Sequence, residues 1–203
     1  DAGGTFKTGT DLNLYKIVDG FWKQIAAIVS GNADQQTELA ANSESTYSAQ
    51  FSALTPALAL AALMDATYNM PTELVRQQNK IGIITRYFAN QVKKQFQTTN
   101  THPDAYEAIK NGVDVLKVNG IEFVISDDWT DQILATQDDG TKYEKPHRAI
   151  ITTKANLAAG IETTSGFATF NVFNVPKDRK VYMDLIDRVD VKILQDKLIQ
   201  VVY

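Results

Sequence analysis

Apolar residues recur at helical spacing in the first half of the chain and alternate with polar ones through most of the second. Leu14, Val18, Phe21, Trp22, Ile25 and Val29 fall on one face of a helix predicted to run to about Val29, with Thr10 or Asp11 as its cap. Such a stripe reads as core. The segment 30–52, rich in Gly, Asn, Asp, Gln, Ser and Thr, predicts a long connection. Thr55 as N-cap and Pro56 at the first helical position then restart helix, with Leu60, Leu63, Met64 and Thr67 facing inward. Pro71 ends that helix, and a further turn follows through Leu74 and Val75. Lys80–Thr85 is a short apolar strand leading into a helix with Phe88, Val92 and Phe96 spaced by four, while Lys93 and Lys94 lie off that line. Pro103 opens a short helix through Tyr106 and Ile109.

Beyond that point the period changes to two. Val113–Val118 and Ile121–Ile125 flank Asn119-Gly120, a pair that specifies a tight type I′ hairpin. Asp127 or Asp128 is expected to cap a turn of helix from Trp129 to Leu134, and Asp138-Asp139-Gly140 to form a turn. Strands are predicted at Ala149–Thr152, Phe167–Val175, Lys180–Ile186, Val189–Leu194 and Lys197–Tyr203, with Asn156-Leu-Ala-Ala-Gly160 read as a turn. Val181/Met183/Leu185 and Val189/Val191/Ile193 alternate as strands with one dry face do. Helices first and antiparallel strands afterwards favour an α+β fold over repeating βαβ units. No internal repeat is present.

Composition narrows the functional classes. At 203 residues the chain can make one or two domains that fold without staples. A net charge of −4 lowers the expectation of a general nucleic-acid binder, which needs a basic face. The absence of cysteine removes disulfides, thiolate catalysis and cysteine-ligated zinc. No apolar run is long enough to span a bilayer. The opening Asp1-Ala-Gly-Gly-Thr shows neither an initiator Met nor a signal peptide and is read as the start of a fragment.

Candidate chemistry is sparse. His102 and His147 sit 45 positions apart outside any metal motif and read as surface or turn histidines. Asp127-Asp128 and Asp138-Asp139 could hold a cation or act as an acid/base pair, but neither has the ligand spacing of a calcium loop; capping and turn formation explain them. Gly3, Gly4 and Gly9 lack the strand and pattern of a phosphate cradle, and Ser165-Gly166 is no nucleophile elbow. Trp22 and Trp129 read as core. The run Lys177-Asp178-Arg179-Lys180, with Asp184, Asp187 and Arg188 behind it, reads as a solvated hairpin tip or an intersubunit salt-bridge site. No catalytic, cofactor-binding or metal residue is assigned, and no cofactor is expected.

The order of segments from Leu54 to Tyr203 resembles the major capsid protein family of tailed bacteriophages, whose fold also occurs in encapsulin shells. The resemblance is carried by Asn69-Met-Pro-Thr-Glu-Leu74, the Ile81–Thr85 strand with its helix, Val118-Asn-Gly-Ile-Glu-Phe123, Ile150-Ile-Thr-Thr153 with Asn156-Leu157, and the strands after Lys177-Asp-Arg-Lys180. Leu12–Val29, with Asp19-Gly-Phe-Trp-Lys-Gln-Ile25, resembles a segment some members carry before the central domain. The resemblance implies a central axial α/β domain at 54–150, a C-terminal β-rich part at 151–203 completing axial and peripheral domains, and a remnant or connection at 1–53. It further implies a non-enzymatic subunit made in the bacterial host cytoplasm, assembling with copies of itself into hexamers and pentamers of a virion shell. DNA would be enclosed non-specifically, with no membrane partner. The N-terminal arm, extended hairpin loop and long spine helix of the family are not found here, so this chain is expected to be monomeric or weakly oligomeric. The competing readings are an encapsulin-like compartment, a tail or neck component, and a binding module or enzyme joining Asp127, Asp128 and Trp129 to His147 or Arg148.

Overall fold

The computed structural model describes residues 20–99, 115–161, 169–175, 180–186 and 189–203, with backbone only at 115, 161, 169–175, 180–186 and 189. Leu14, Val18, the cap at Thr10 or Asp11, the helix at Pro103, His102, Ser165, Gly166, Asp187, Arg188 and the loop at Lys177–Arg179 lie outside the described residues. So do the side chains behind the Val181/Met183/Leu185 alternation and that of Val189.

A six-stranded mixed sheet organises the described residues. Its strands are β1 (Gln36–Thr37), β2 (Lys80–Thr85), β3 (Val115–Val118), β4 (Ile121–Ser126), β5 (Ala149–Thr153) and β10 (Gln200–Val202). They lie in the order β1-β10-β5-β2-β4-β3. Two two-stranded antiparallel ribbons complete the strands: β6 (Leu157–Ile161) with β9 (Val189–Ile193), and β7 (Thr169–Val175) with β8 (Lys180–Ile186). The helices are α1 (Phe21–Gly31), α2 (Tyr47–Ala53), α3 (Pro56–Tyr68), α4 (Thr72–Val75), α5 (Arg86–Thr99) and α6 (Asp127–Thr136). No single described helix is long and apolar enough to cross a bilayer; α2 and α3 qualify only together, across a 74° bend. Helices cluster before residue 100 and strands after 114, so the α+β expectation matches the architecture.

Register assigns the two faces of the sheet. Phe123, Gly82, Ile151 and Gln200 form one cross-strand row, and Val124, Ile83, Ile150 and Val201 form the next, on the opposite face. The first face packs under α3 and α5 in a core built on Leu63, Ala66, Phe88, Val92 and Phe123. The second packs under α1, where Trp22, Ile25 and Val29 meet Ile150, Val201 and Tyr203. Gly82 is required by this arrangement: an added Cβ would stand 2.1 Å from the buried Phe123 ring. The Asn119-Gly120 turn has both residues at positive φ, 49° and 75°, as a type I′ turn demands. Asn119 also donates to Thr67 Oγ1 at 2.7 Å, tying the hairpin to α3.

Several expectations hold and several are corrected. Thr55 caps α3 by accepting from Leu58 N, with Pro56 at the helix start. The face α3 buries is made chiefly by Ala59, Ala62, Leu63, Ala66 and Thr67, whereas Leu60 and Met64 are only partly covered. Small side chains let α3 approach closely. The segment read as a long connection contains α2, capped by Thr46, which accepts from Ala49 N at 3.2 Å. Tyr47, Phe51 and Leu54 carried that signal at helical spacing. The Leu157–Gly160 stretch is strand β6, not a turn, because β9 supplies its ladder from Leu157↔Ile193 to Ile161↔Val189. The final strand is short: Asp196–Leu198 forms a 3₁₀ turn before β10 enters the sheet between β1 and β5.

Candidate functional site

Polar side chains converge where α2, the segment before it and β5 meet. Asn42 reads the main chain of His147 at both ends: its Nδ2 donates to His147 O at 2.8 Å and its Oδ1 accepts from His147 N at 3.0 Å. Gln50 does the same for Tyr143, donating to its O at 2.8 Å and accepting from its N at 3.0 Å. Both amides are buried. Both residues lie in the segment 30–52, which the sequence predicts as a connection. The only hint in the sequence was Gln50 between Tyr47 and Phe51 on a short helical face.

His147 corrects the surface reading. It is 0% exposed, with Phe51 edge-on at 5.0 Å and Tyr87 tilted at 5.3 Å between ring centres. Its Nε2 donates to Gln50 O at 3.0 Å, and its Nδ1 has no partner among the described residues. Burial pushes its pKa down to about 4, against the raising effect of the Gln50 carbonyl. The imidazole is therefore neutral at pH 7.

Arg148 is also 0% exposed. Its guanidinium lies 4.2 Å from the Trp22 ring and 5.8 Å from that of Trp129. Nε donates to Lys145 O at 2.8 Å, and Nη2 donates to Glu144 O at 2.6 Å and Gln137 Oε1 at 3.0 Å. Nη1 has no partner among the described residues. Desolvation lowers its pKa to about 9, which leaves it charged at neutral pH. Carbonyl dipoles and two indole faces hold this cation in place of a carboxylate. The structure thus brings Trp129 to Arg148, as the binding-module reading required, but as packing around a buried cation.

The acidic pairs go elsewhere. Asp127 and Asp128 are exposed in the first turn of α6, which is capped by Ser126 rather than by either of them: Ser126 Oγ accepts from Trp129 N at 3.3 Å. Asp127 pairs with Arg86, and that guanidinium holds its carboxyl below the usual carboxylate range. Asp138 and Asp139 build the expected turn, accepting from Gly140 N at 3.1 Å and from Thr141 N and Lys142 N at 2.9 and 2.8 Å. Among the described residues no three His, Cys, Asp or Glu side chains gather to hold a metal ion.

An open cleft of about 350 Å³ lies beside the β1 edge, lined by Gln36, Glu38, Tyr143, Glu144, Lys145 and Tyr203 among others. Lys145 occupies left-handed backbone at φ 45° and lays its ammonium 3.5 Å above the Tyr203 ring. Burial lowers its pKa, and it makes no ion pair with a described carboxylate. Sequence gave no warning of this residue, since a residue before proline is biased toward extended backbone.

No family model matches the chain, and no curated protein matches it. A solved structure from Mycobacterium phage Che8 is similar over 83% of this chain and 53% of that one, at 12% identity and a TM-score of 0.49. A satellite phage P4 procapsid that includes the size determination (Sid) protein is similar over 72% of this chain and 37% of that one, at 13% identity and a TM-score of 0.39. The chain therefore spans about half the length of the first and little more than a third of the second.

Proposed function

We propose that this chain is a structural building block of a phage or prophage shell, a major capsid subunit whose work is self-association rather than catalysis. The observation that carries the reading is the order of segments from Leu54 to Tyr203. The stretch that resembles tailed-phage capsid proteins supplies five of the six strands of the mixed sheet and both ribbons, and the last strand, β10, returns to lie beside β5. The six-stranded sheet with α3 and α5 corresponds in this reading to the axial domain, and the ribbons that interrupt β5 and β10 to the peripheral one. Its convergent polar groups suit the role. Asn42, Gln50 and Arg148 spend their hydrogen bonds on the protein's own main chain, fixing loops in place. Repeated contacts between identical subunits then supply assembly energy by symmetry.

In this proposal the partners are other copies of the chain, the enclosed DNA is contacted without sequence preference, and the location is the virion. Electron microscopy of the whole gene's product tests it. Closed particles of uniform diameter are expected, and dispersed protein with no particles at high concentration would count against a shell role. For the present chain alone, sizing chromatography is expected to show monomers or small oligomers, and closed shells would overturn that part.

A further inference from the structure

Among the described residues, the β7–β8 ribbon and the β1 edge of the six-stranded sheet each lack a further strand. The β7–β8 ribbon runs in seven-residue register from Thr169↔Ile186 to Val175↔Lys180. No other described strand pairs with it. A two-stranded ribbon is marginal alone and gains stability from a third strand. At the far side of the molecule's own sheet, β1 is an edge strand whose only described neighbour is β10. Tyr203 N donates to Thr37 O at 3.2 Å and Leu39 N donates to Tyr203 O at 3.0 Å. Those bonds turn the N–H and C=O of the intervening Glu38 away from β10, toward the open side. Glu38 is exposed, and its main-chain groups have no backbone partner among the described residues. The 350 Å³ cleft lies alongside this edge, with Lys145, Glu38 and Glu144 on its walls.

We propose that the β7–β8 ribbon of one copy of this chain adds to the β1 edge of the next. Its backbone pairs with Glu38 beside the cleft. Strand addition of this kind supplies affinity through main-chain bonds and specificity through flanking side chains. The cleft that flanks this edge offers side chains of both signs, at Lys145 and at Glu38 and Glu144. The opposite edge, β3, is a poorer acceptor because it carries the exposed Lys117, a residue type that blocks edge pairing. The contact joins two different surfaces, so it propagates head to tail into rings or open chains. This inference rests on the self-associating role proposed above and names the contact.

Sedimentation over a rising concentration series tests it. Wild-type protein is expected to run as monomer when dilute and to gain mass as small oligomers when concentrated. Glu38→Pro removes the outward N–H while Thr37 and Leu39 keep their bonds to Tyr203, and should weaken association about tenfold, the loss of one well-made polar contact. Lys145→Gly suits the left-handed backbone, should keep the melting temperature, and should weaken association by a smaller factor. The cysteine-free chain also permits trapping. A Glu38→Cys copy mixed with an Asn171→Cys or an Asp184→Cys copy should oxidise to a mixed dimer in excess over either self-dimer, and the better trap identifies the docking strand. Equal association of wild type and Glu38→Pro, or only self-dimers in both mixtures, overturns this contact and leaves the shell reading standing. A wild type that stays monomeric throughout also overturns it, while the shell reading is judged separately on the whole gene's product.

Discussion

Two charged dipeptides, Asp127-Asp128 and His147-Arg148, sit twenty residues apart at the ends of strands and meet opposite fates. The acidic pair opens α6 in solvent, with Ser126 as the cap and Arg86 beside Asp127. His147-Arg148 enters β5 fully buried, with its main chain gripped by Asn42 and Thr85 and its side chains enclosed by aromatic rings. The acidic pair had looked like the candidate for chemistry and the histidine like surface. What decides is the supply of partners. A carboxylate at a helix start is served by local backbone and needs no distant group. A buried cation or imidazole survives only if remote segments bring carbonyls and rings to it. Such pairs therefore mark the tertiary joints of a fold.

The sharpest way to break the comparison is at Arg148. Arg148→Ala would leave the acceptors at Lys145, Glu144 and Gln137 unserved and a space between Trp22 and Trp129. A loss of about 3–5 kcal/mol is expected in urea unfolding, as for other broken buried charge sites. Arg148→Met should cost less than half of that, because it refills the space and removes the desolvated charge. Equal losses would mean that the polar anchoring of the 144–145 loop, not packing, fixes this joint.

His147 sharpens the contrast through pH. Its folded-state pKa of about 4 lies below the ordinary 6.5, so protonation favours the unfolded chain. The stability it contributes is complete above pH 6.5 and is lost as pH falls toward 4. The loss reaches about 3 kcal/mol at pH 4, from a separation of some 2.5 pH units. Measured as the difference between wild type and His147→Gln, which removes the titrating group, the unfolding free energies should converge across that window. Parallel pH profiles would show that the imidazole is reached by water in the folded state.

Sequence exposed the elements whose cause is local. Phe88, Val92 and Phe96 marked α5, Asn119-Gly120 fixed a hairpin, and Thr55-Pro56 opened α3, because each needs only its own neighbours. It missed what distant segments decide. Leu157-Ala-Ala-Gly-Ile161 has weak strand propensity and becomes β6 only because β9 pairs with it. Asn42 and Gln50 looked like loop polarity because their partners at His147 and Tyr143 lie 105 and 93 positions away. Lys145 was unreadable at one remove: Arg148 holds the carbonyls of Glu144 and Lys145, and the distant Trp22 ring holds Arg148.

The smallest effects belong to the acidic pair, and they discriminate a binding site from a helix start. Ser126→Ala removes the acceptor for Trp129 N and should cost about 1 kcal/mol, the usual value of an N-cap. Asp127→Asn and Asp128→Asn should leave the urea midpoint nearly unchanged, since both groups are exposed and the Arg86 pair is screened by solvent. For Asp127 the sign is fixed by its lowered pKa: the small stabilisation from Arg86 is present above the ordinary carboxylate range and fades as pH falls through the depressed value. Added salt should shrink it further. If instead the double Asn variant gained stability strongly, the two carboxylates would be a strained acidic pair kept for a ligand, since sites that bind charge commonly hold like charges together at a cost to the fold. The ordering Arg148, His147, Ser126, Asp127 thus follows burial, from two enclosed side chains through a half-buried cap to an exposed carboxylate, and a reversal at its lower end would return function to the mouth of α6.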